Sequence, residues 1–408
     1  MQPKVDAGDT AWLLVSSALV LLMTPGLALF YGGMVQRKNV LSILMYVLVA
    51  LPIVTVEWTL FGYSMVFGTS HGGLIGGFEL AGLVGLAGAV KGTVPALAFV
   101  AFQMMFAIIT PALIAGAFAE RMKFSVYVAF VVLWSILVYN PVAHWVWADD
   151  GWLLKKGALD FAGGTVVHAV AGLSALVGAF ALGPRIGYPQ HRAIPHNLTM
   201  TISGAGLLWF GWFGFNAGSA LTSGSLASLA LVTTHVAAGA GALSWMVVEW
   251  VHRKKATAFG VASGLVAGLV AITPAAGFVS PLSAMAMGLL VSPLCYLALM
   301  VKERAGYDDA LDAFGIHGVG GIFGALATGV FADKTLNPAG ADGMLHGGGF
   351  AQLGTQALGV VACGAYAAIV TFVLLKVLGA IFGGLRVSET DEREGLDVSQ
   401  HGEEGYAQ

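Results

Sequence analysis

Charge is what this chain has least of. Asp, Glu, Lys and Arg make up 10% of its 408 residues, against roughly 25% in ordinary soluble domains. That little charge cannot cover a soluble fold of this size, so a water-exposed globular class is excluded. Only two cysteines are present, Cys295 and Cys363, each inside an apolar stretch. They suggest neither a disulfide framework nor a zinc cluster. The start, MQPKVDAGDT, has no basic region leading into a short apolar segment and a small-residue cleavage site. No signal peptide is therefore expected in the chain as given. No long polar linker interrupts the chain, so one membrane domain is expected over 1–385, followed by a tail over 386–408.

What is abundant is apolar sequence, at 57%, with a mean hydropathy of +0.82. A span needs roughly 17–25 predominantly apolar residues. Eleven runs qualify, approximately 10–33, 41–67, 95–119, 124–142, 163–182, 196–217, 225–251, 257–273, 281–301, 313–331 and 351–382. The segment 74–90 is apolar but short and glycine-rich, and reads as a packed loop. Arg37, Lys38, Arg121, Lys123, Arg185, Arg192, Arg253, Lys254, Lys255, Lys302, Arg304, Arg386 and Arg393 all fall on one side of successive spans. Lys4, Lys91, Lys155, Lys156 and Lys334 fall on the other, and Lys376 lies in the last span. The excess of Lys and Arg on cytoplasmic loops predicts an outer N-terminus and a cytoplasmic C-terminus. The expected fold is an all-α polytopic membrane protein with eleven transmembrane helices.

Two of these runs carry a histidine near mid-span, His168 in GGTVVHAVAG and His317 in AFGIHGVGG. Each continues as His-x-Val-x-Gly, to Gly172 and Gly321, and each has an Asp eight residues earlier, Asp160 and Asp309. The first falls in span five and the second in span ten. Five is odd, so the two units would run in opposite directions: two inverted five-helix repeats plus a final helix. Such repeats commonly place a site at their interface near the bilayer midplane. An ionisable ring at that depth is costly and generally faces a cavity or pathway.

A metal pair, a proton relay and a hydrogen-bonded pore pair are all open at this point. A metal site would need further ligands, and no third His, Cys or acid shares those faces. In continuous helix Asp160 would lie about 12 Å from His168, too far to act with it. Desolvation disfavours imidazolium, so at least one ring is expected to be neutral. Two neutral rings can share one hydrogen bond and leave one donor and one acceptor for a pore. Among the 57 glycines, Gly172, Gly178, Gly320, Gly321 and Gly324 are expected to let helices approach beside the histidines. Pro111 and Pro274 are expected to bend their helices. At the outer end, HWVWADDGW (144–152) and WFGWFGFNAGS (209–219) concentrate aromatics. An interfacial belt and a cation site formed by Trp faces and Ser219 fit them equally. The polar tail from about Leu385 reads as a solvated segment.

Taken together, TPGLALFYGGMVQRKN (24–39), DFAGGTVVH (160–168), GWFGFNAGSA (211–220), FGIHGVGG (314–321) and EREGLDV (392–398) resemble the ammonium transporter (Amt) family. This is the bacterial branch of the Amt/Mep/Rh superfamily. The resemblance implies a multi-pass protein of the cytoplasmic (inner) membrane, a homotrimer with one pore per subunit, and no enzymatic activity or cofactor. It implies that ammonium, with methylammonium a candidate analogue, is recruited at Phe106, Trp147 and Ser219. Asp160 would support recruitment or deprotonation. Phe102 and Phe215 would be gating rings just below, His168 and His317 the pore-lining pair, and Tyr31 and Trp212 further aromatics near the path. It also implies a tail able to dock a PII-type (GlnK-like) signal protein. Ammonium and potassium are similar in size and charge, so selectivity would have to use directional N–H bonds and a removable proton. A dry pore penalises the ion, and only ammonium can lose a proton, which would then cross separately from ammonia.

Two residues depart from that pattern. Glu57 lies inside span two and is expected to be a protonated or hydrogen-bonded packing acid. His235, a third intramembrane histidine, is assigned to packing or a subunit contact. An ammonium sensor signalling through a partner is the alternative reading. A Rhesus-type gas channel is disfavoured by Trp147 and Ser219, and a sodium-coupled carrier by the lack of an unwound, acid-lined site.

Overall fold

The computed structural model describes residues 4–190 and 194–406. Arg192 and the first three residues of the N-terminal segment lie outside the described residues. Inside a bilayer each backbone N–H needs a partner within the protein, and an unbroken apolar run meets that demand by becoming helix. Among the described residues, ten helices are long and apolar enough to cross a membrane. They are α1 (Ala7–Met34), α2 (Arg37–Phe67), α3 (Ala96–Phe118), α4 (Phe124–Lys155), α5 (Gly164–Leu182), α6 (Leu198–Ala217), α7 (Ser225–Arg253), α9 (Pro281–Ala305), α10 (Phe314–Phe331) and α11 (Ala351–Ile381).

The run expected at 257–273 forms a shorter apolar helix, α8 (Ala258–Ile272). Thr257 caps it by accepting from Gly260 N–H. It packs against α6, α7, α9 and α10, and every residue from Ala262 to Ile272 is buried. Pro274 follows the last turn of α8 and ends it, because a proline supplies no N–H to continue the ladder; contrary to the expectation from sequence, it lies beyond the helix rather than bending it. Its carbonyl accepts from Phe161 N–H at 3.1 Å. Pro111, in contrast, sits within the continuous helix α3.

The segment between α2 and α3 is a packed loop, as read from sequence. It holds two short hairpins, β1 (Ser70–His71) with β2 (Ile75–Gly76), and β3 (Val90–Lys91) with β4 (Val94–Pro95). At the opposite end of the bundle, basic residues gather with acids. Arg185 donates to Glu120 at 2.6 Å and through two nitrogens to Asp308 at 2.8 Å each. Burial opposes ionisation of Glu120, but Arg185 and the donors of Gln36 and Asn39 outweigh it and hold the carboxyl below its ordinary range. Asp308 is held low in the same way by Arg185.

The polar tail is bound rather than loosely solvated, contrary to the sequence expectation. Lys123 N–H donates to Leu385 and Val387 N–H to Arg121, each at 3.0 Å. Two short helices follow, α12 (Glu389–Glu394) and α13 (Leu396–His401). Glu392 accepts from Ile186 N–H and from Arg386, and Asp397 accepts from Ser42 N–H. Leu396 is fully buried. Glu392 and Asp397 thus find specific partners on neighbouring segments, which composition alone does not reveal.

Candidate functional site

Helix α3 supplies one wall of a passage. Phe99, Phe102, Phe106, Ile109 and Leu113 recur at three- and four-residue spacing, which puts them along one helical face. Phe99 and Phe106 line an open vestibule of about 170 Å³, together with Lys91, Gln103, Trp147, Asp149, Phe161, Ser219 and Leu221. Trp147 meets Phe106 edge to face, with ring centroids 5.8 Å apart, and its indole N–H is tied to the carbonyl of Asp160 at 3.0 Å. The Ser219 hydroxyl donates to the Phe215 carbonyl at 2.8 Å. With its proton so engaged, the oxygen retains lone pairs to accept from a guest.

Beyond the vestibule the rings close up. Phe106 lies 4.3 Å from Phe215, and Phe215 lies 6.0 Å from His168, centroid to centroid. Phe102 touches Phe106 at 5.0 Å but stands one turn nearer the N-terminus of α3, away from His168. The closing pair is thus Phe106 with Phe215. This corrects the expectation that Phe102 lies beneath Phe106, and the direction of α3 is the reason.

Past Phe215 a narrow lumen leaves about 10 Å³ to a water-sized sphere, roughly the minimum for one water molecule. Its lining is apolar (Met23, Leu27, Phe30, Ile109, Leu113, Val266 among others) apart from His168, His317 and the edge of Trp212. The two imidazoles lie edge to edge in nearly parallel planes, with centroids 5.3 Å apart and an Nδ1–Nδ1 hydrogen bond of 3.2 Å. Trp212 stacks on His168 at 5.3 Å, and its indole donates to Thr273 at 2.9 Å. His168 Nε2 is buried without a protein partner. One shared proton between two neutral rings makes one Nδ1 the donor and the other the acceptor. The two Nε2 atoms therefore carry opposite roles, one donor and one acceptor.

Local backbone sets this geometry. His168, Phe215 and His317 all sit on widened turns with i→i+5 hydrogen bonding, at Gly164–Ala169, Phe213–Ala217 and Phe314–Gly318. Such turns are rare within helices and concentrate at functional sites. Asp160 does not belong to the His168 helix proper. Its carboxylate accepts from the N–H groups of Gly163, Gly164, Thr165 and Val166 at 2.7–3.1 Å. It closes the start of α5 and holds Trp147 through its carbonyl. Asp309 does the equivalent for α10, accepting from Ala313 and Phe314 N–H.

The expected close approach is reciprocal. A Cβ on Gly172 would lie 2.1 Å from Gly318 N, and one on Gly321 would lie 2.7 Å from Ala169 N. Each motif's terminal glycine thus admits the backbone beside the other motif's histidine.

Tyr31 is not brought to the lumen. Its hydroxyl donates to Leu113 O at 2.9 Å, while the adjacent Phe30 lines the cavity. Glu57 lies apart from the passage, accepting from Asn140 at 2.7 Å between α2 and α4. His235 stacks on Trp209 at 5.1 Å, on the outside of the bundle. Sequence reasoning missed Phe30, Phe99, Gln103, Lys91 and Asp149. The α3 periodicity could have found Phe99, but the others carry no local signal. Among the described residues no three His, Cys, Asp or Glu side chains converge as a metal site would require.

Membrane-length helices surrounding a ring-closed, narrow and largely apolar lumen define a polytopic membrane protein with an internal passage. Its similarity to known proteins makes that class specific. The Ammonium Transporter Family model matches residues 11–406. The chain is 49% identical over 406 residues to an ammonium transporter of Bacillus subtilis, covering 98% of this chain and 99% of the relative. It is 51% identical over 409 residues to one of Aquifex aeolicus, covering 99% and 95%. The crystal structure of Saccharomyces cerevisiae Mep2 superposes with a TM-score of 0.89 at 37% identity, covering 94% of this chain and 88% of that one. A structure described as a sensor Amt protein gives 0.89 at 32% identity, covering 97% and 98%. The chain belongs to the Ammonium Transporter Family.

Proposed function

We propose that the protein carries ammonium into the cell through the passage just described. The observation that carries this reading is the order of groups along it: an aromatic vestibule, a closed ring pair, then two hydrogen-bonded histidines in a dry lumen. Phe106, Trp147 and Ser219 recruit the cation, through ring faces and one oxygen acceptor. Phe106 and Phe215 form the closure, with Phe102 a turn above. The lumen beyond them excludes a charge, because burying an unpaired ion costs far more than burying a hydrogen-bonded neutral molecule. Ammonia both donates and accepts, so it can use the two Nε2 atoms in turn, and potassium can do neither. The proton crosses separately, with the histidine pair assisting. Asp160 acts from a distance, by fixing Trp147 and the start of α5, and Trp212 holds the His168 ring in its plane.

Around this site we propose eleven spans, arranged as two inverted five-helix repeats and a final helix. The N-terminus lies outside and the tail 386–408 in the cytoplasm, below a membrane domain of 1–385. The protein is placed in the inner membrane as a homotrimer, with His235 and Trp209 at a subunit contact. The tail is a docking element for a PII-type signal protein. Pull-down of that protein with and without ATP and 2-oxoglutarate tests the docking, and absence of binding in every condition would remove it.

The transport reading is tested by current and uptake measurements on reconstituted protein with ammonium, methylammonium and potassium. Ammonium-evoked current without a potassium current is expected. Binding of ammonium with no flux would favour the sensor alternative instead.

A further inference from the structure

The vestibule already holds an ammonium group of the protein's own. Lys91 Nζ pairs with Asp149 Oδ2 at 2.5 Å and stands 5.9 Å from the centroid of the Phe99 ring. Both residues line the cavity that Phe106, Trp147 and Ser219 line. We propose that Lys91 and Asp149 tune the affinity of the vestibule for its cation in opposite directions, each through the local potential that an incoming ammonium ion meets. This inference rests on the transport reading above, which assigns the vestibule to a cation but gives neither of these residues a part.

Three features support it. First, the pair is positioned rather than adrift. Lys91 belongs to the β3–β4 hairpin, whose turn residue Thr93 accepts from Asp6 N–H at 2.8 Å and donates to Asp9 at 2.6 Å. That anchors the hairpin to the start of α1. Asp149 follows Trp147 by two residues, in a turn closed by the Gly151 N–H donating to the Ala148 carbonyl at 2.8 Å. Second, the pair is accessible, with side chains 41% and 80% exposed. Its loss would not empty the core, so substitutions report on the site rather than on folding. Third, its charges oppose each other. Lys91 alone would repel a cation from the vestibule and Asp149 alone would attract one. Paired, they nearly cancel, and a ring-lined site with little field of its own is left to recruit the ion.

The consequence is an affinity that can be moved in either direction. Reconstituted parent, Asp149→Asn, Lys91→Gln and the double variant are compared by the ammonium dependence of the evoked current, at low and high sodium chloride. Asp149→Asn is expected to raise KM about two- to five-fold at low salt, the range that exposed charge pairs produce. Lys91→Gln is expected to lower KM by a similar factor. Both shifts should shrink at high salt, because exposed charges are screened, and the double substitution should return KM toward the parental value. Vmax should change less than KM. The ammonium-to-methylammonium KM ratio should hold, since both ions carry one charge.

Unmoved KM in both single variants would overturn the proposal, as would shifts of the same sign or shifts insensitive to salt. A parent that carries no ammonium would overturn the transport reading and this proposal with it. A transporting parent with unmoved KM would overturn this proposal alone.

Discussion

The segments 160–172 and 309–321 begin from one pattern and are finished differently. In both, an Asp closes the start of a helix, a histidine follows on a widened turn, and a glycine ends the motif against the other segment. Asp160 gathers four backbone N–H groups and, among the described residues, pairs with no cation. Asp309 gathers two, and Lys302 donates to its carbonyl at 3.1 Å while pairing with Asp312. The first segment also fastens Trp147; the second fastens no vestibule ring. The shared pattern builds and orients an imidazole at the crossing. What surrounds each Asp sets one beside the aromatic vestibule and the other beside a charged face.

The largest effect that would test this contrast is at the carboxylates. Asp160→Ala strands four buried N–H groups, at about 1–3 kcal/mol for each unsatisfied group, and is expected to abolish the folded protein in detergent chromatography. Asp309→Ala strands two and should leave a folded but less stable protein. Equal losses at the two positions would erase the difference drawn between them. Next comes the glycine crossing. Gly172→Ala should cost more than Gly321→Ala, because its Cβ meets a backbone atom at 2.1 Å rather than 2.7 Å. Overpacking of this kind costs about 1–3 kcal/mol, and thermal unfolding in detergent measures it.

A smaller effect is expected from pH at the tail face. Glu120 and Asp308 have folded-state pKa values held below their ordinary ones. Their contribution is therefore present above the ordinary carboxylate range and is lost as pH falls through the depressed values. Tail contacts near Arg185 should persist at neutral pH and loosen only in strong acid, read by hydrogen exchange at Ile186 and Val387. Loosening between pH 6 and 8 would contradict the assignment.

Much of the architecture was legible in the chain, because a bilayer forces long apolar runs into helices and leaves charge at their ends. All ten long helices fall where hydropathy puts them, and the short α8 occupies the remaining run. The histidine pair was legible because its motif repeats with fixed spacing. The widened turns beneath His168, Phe215 and His317 were not, since no composition marks where a helix takes one extra residue per turn. Phe30 and Tyr31 are adjacent, and only the rotation of α1 decides which faces the lumen. Lys91 and Asp149 are far apart in sequence and come together through a loop whose path follows from its anchors. The tail misled for a similar reason: its acids look solvated until Ile186, Ser42 and Arg386 are brought beside them.

The most direct test of the central claim pairs ammonium-evoked current with ammonia uptake in the same reconstituted vesicles, for the parent, His168→Ala and His317→Ala. If the twin imidazoles make a dry lumen selective for a molecule that can lose a proton, the parent carries ammonium and no potassium current. Each variant then loses rate, selectivity or the coupling of charge to ammonia. A parent that conducts potassium as readily as ammonium, or variants indistinguishable from it in all three, would contradict the account.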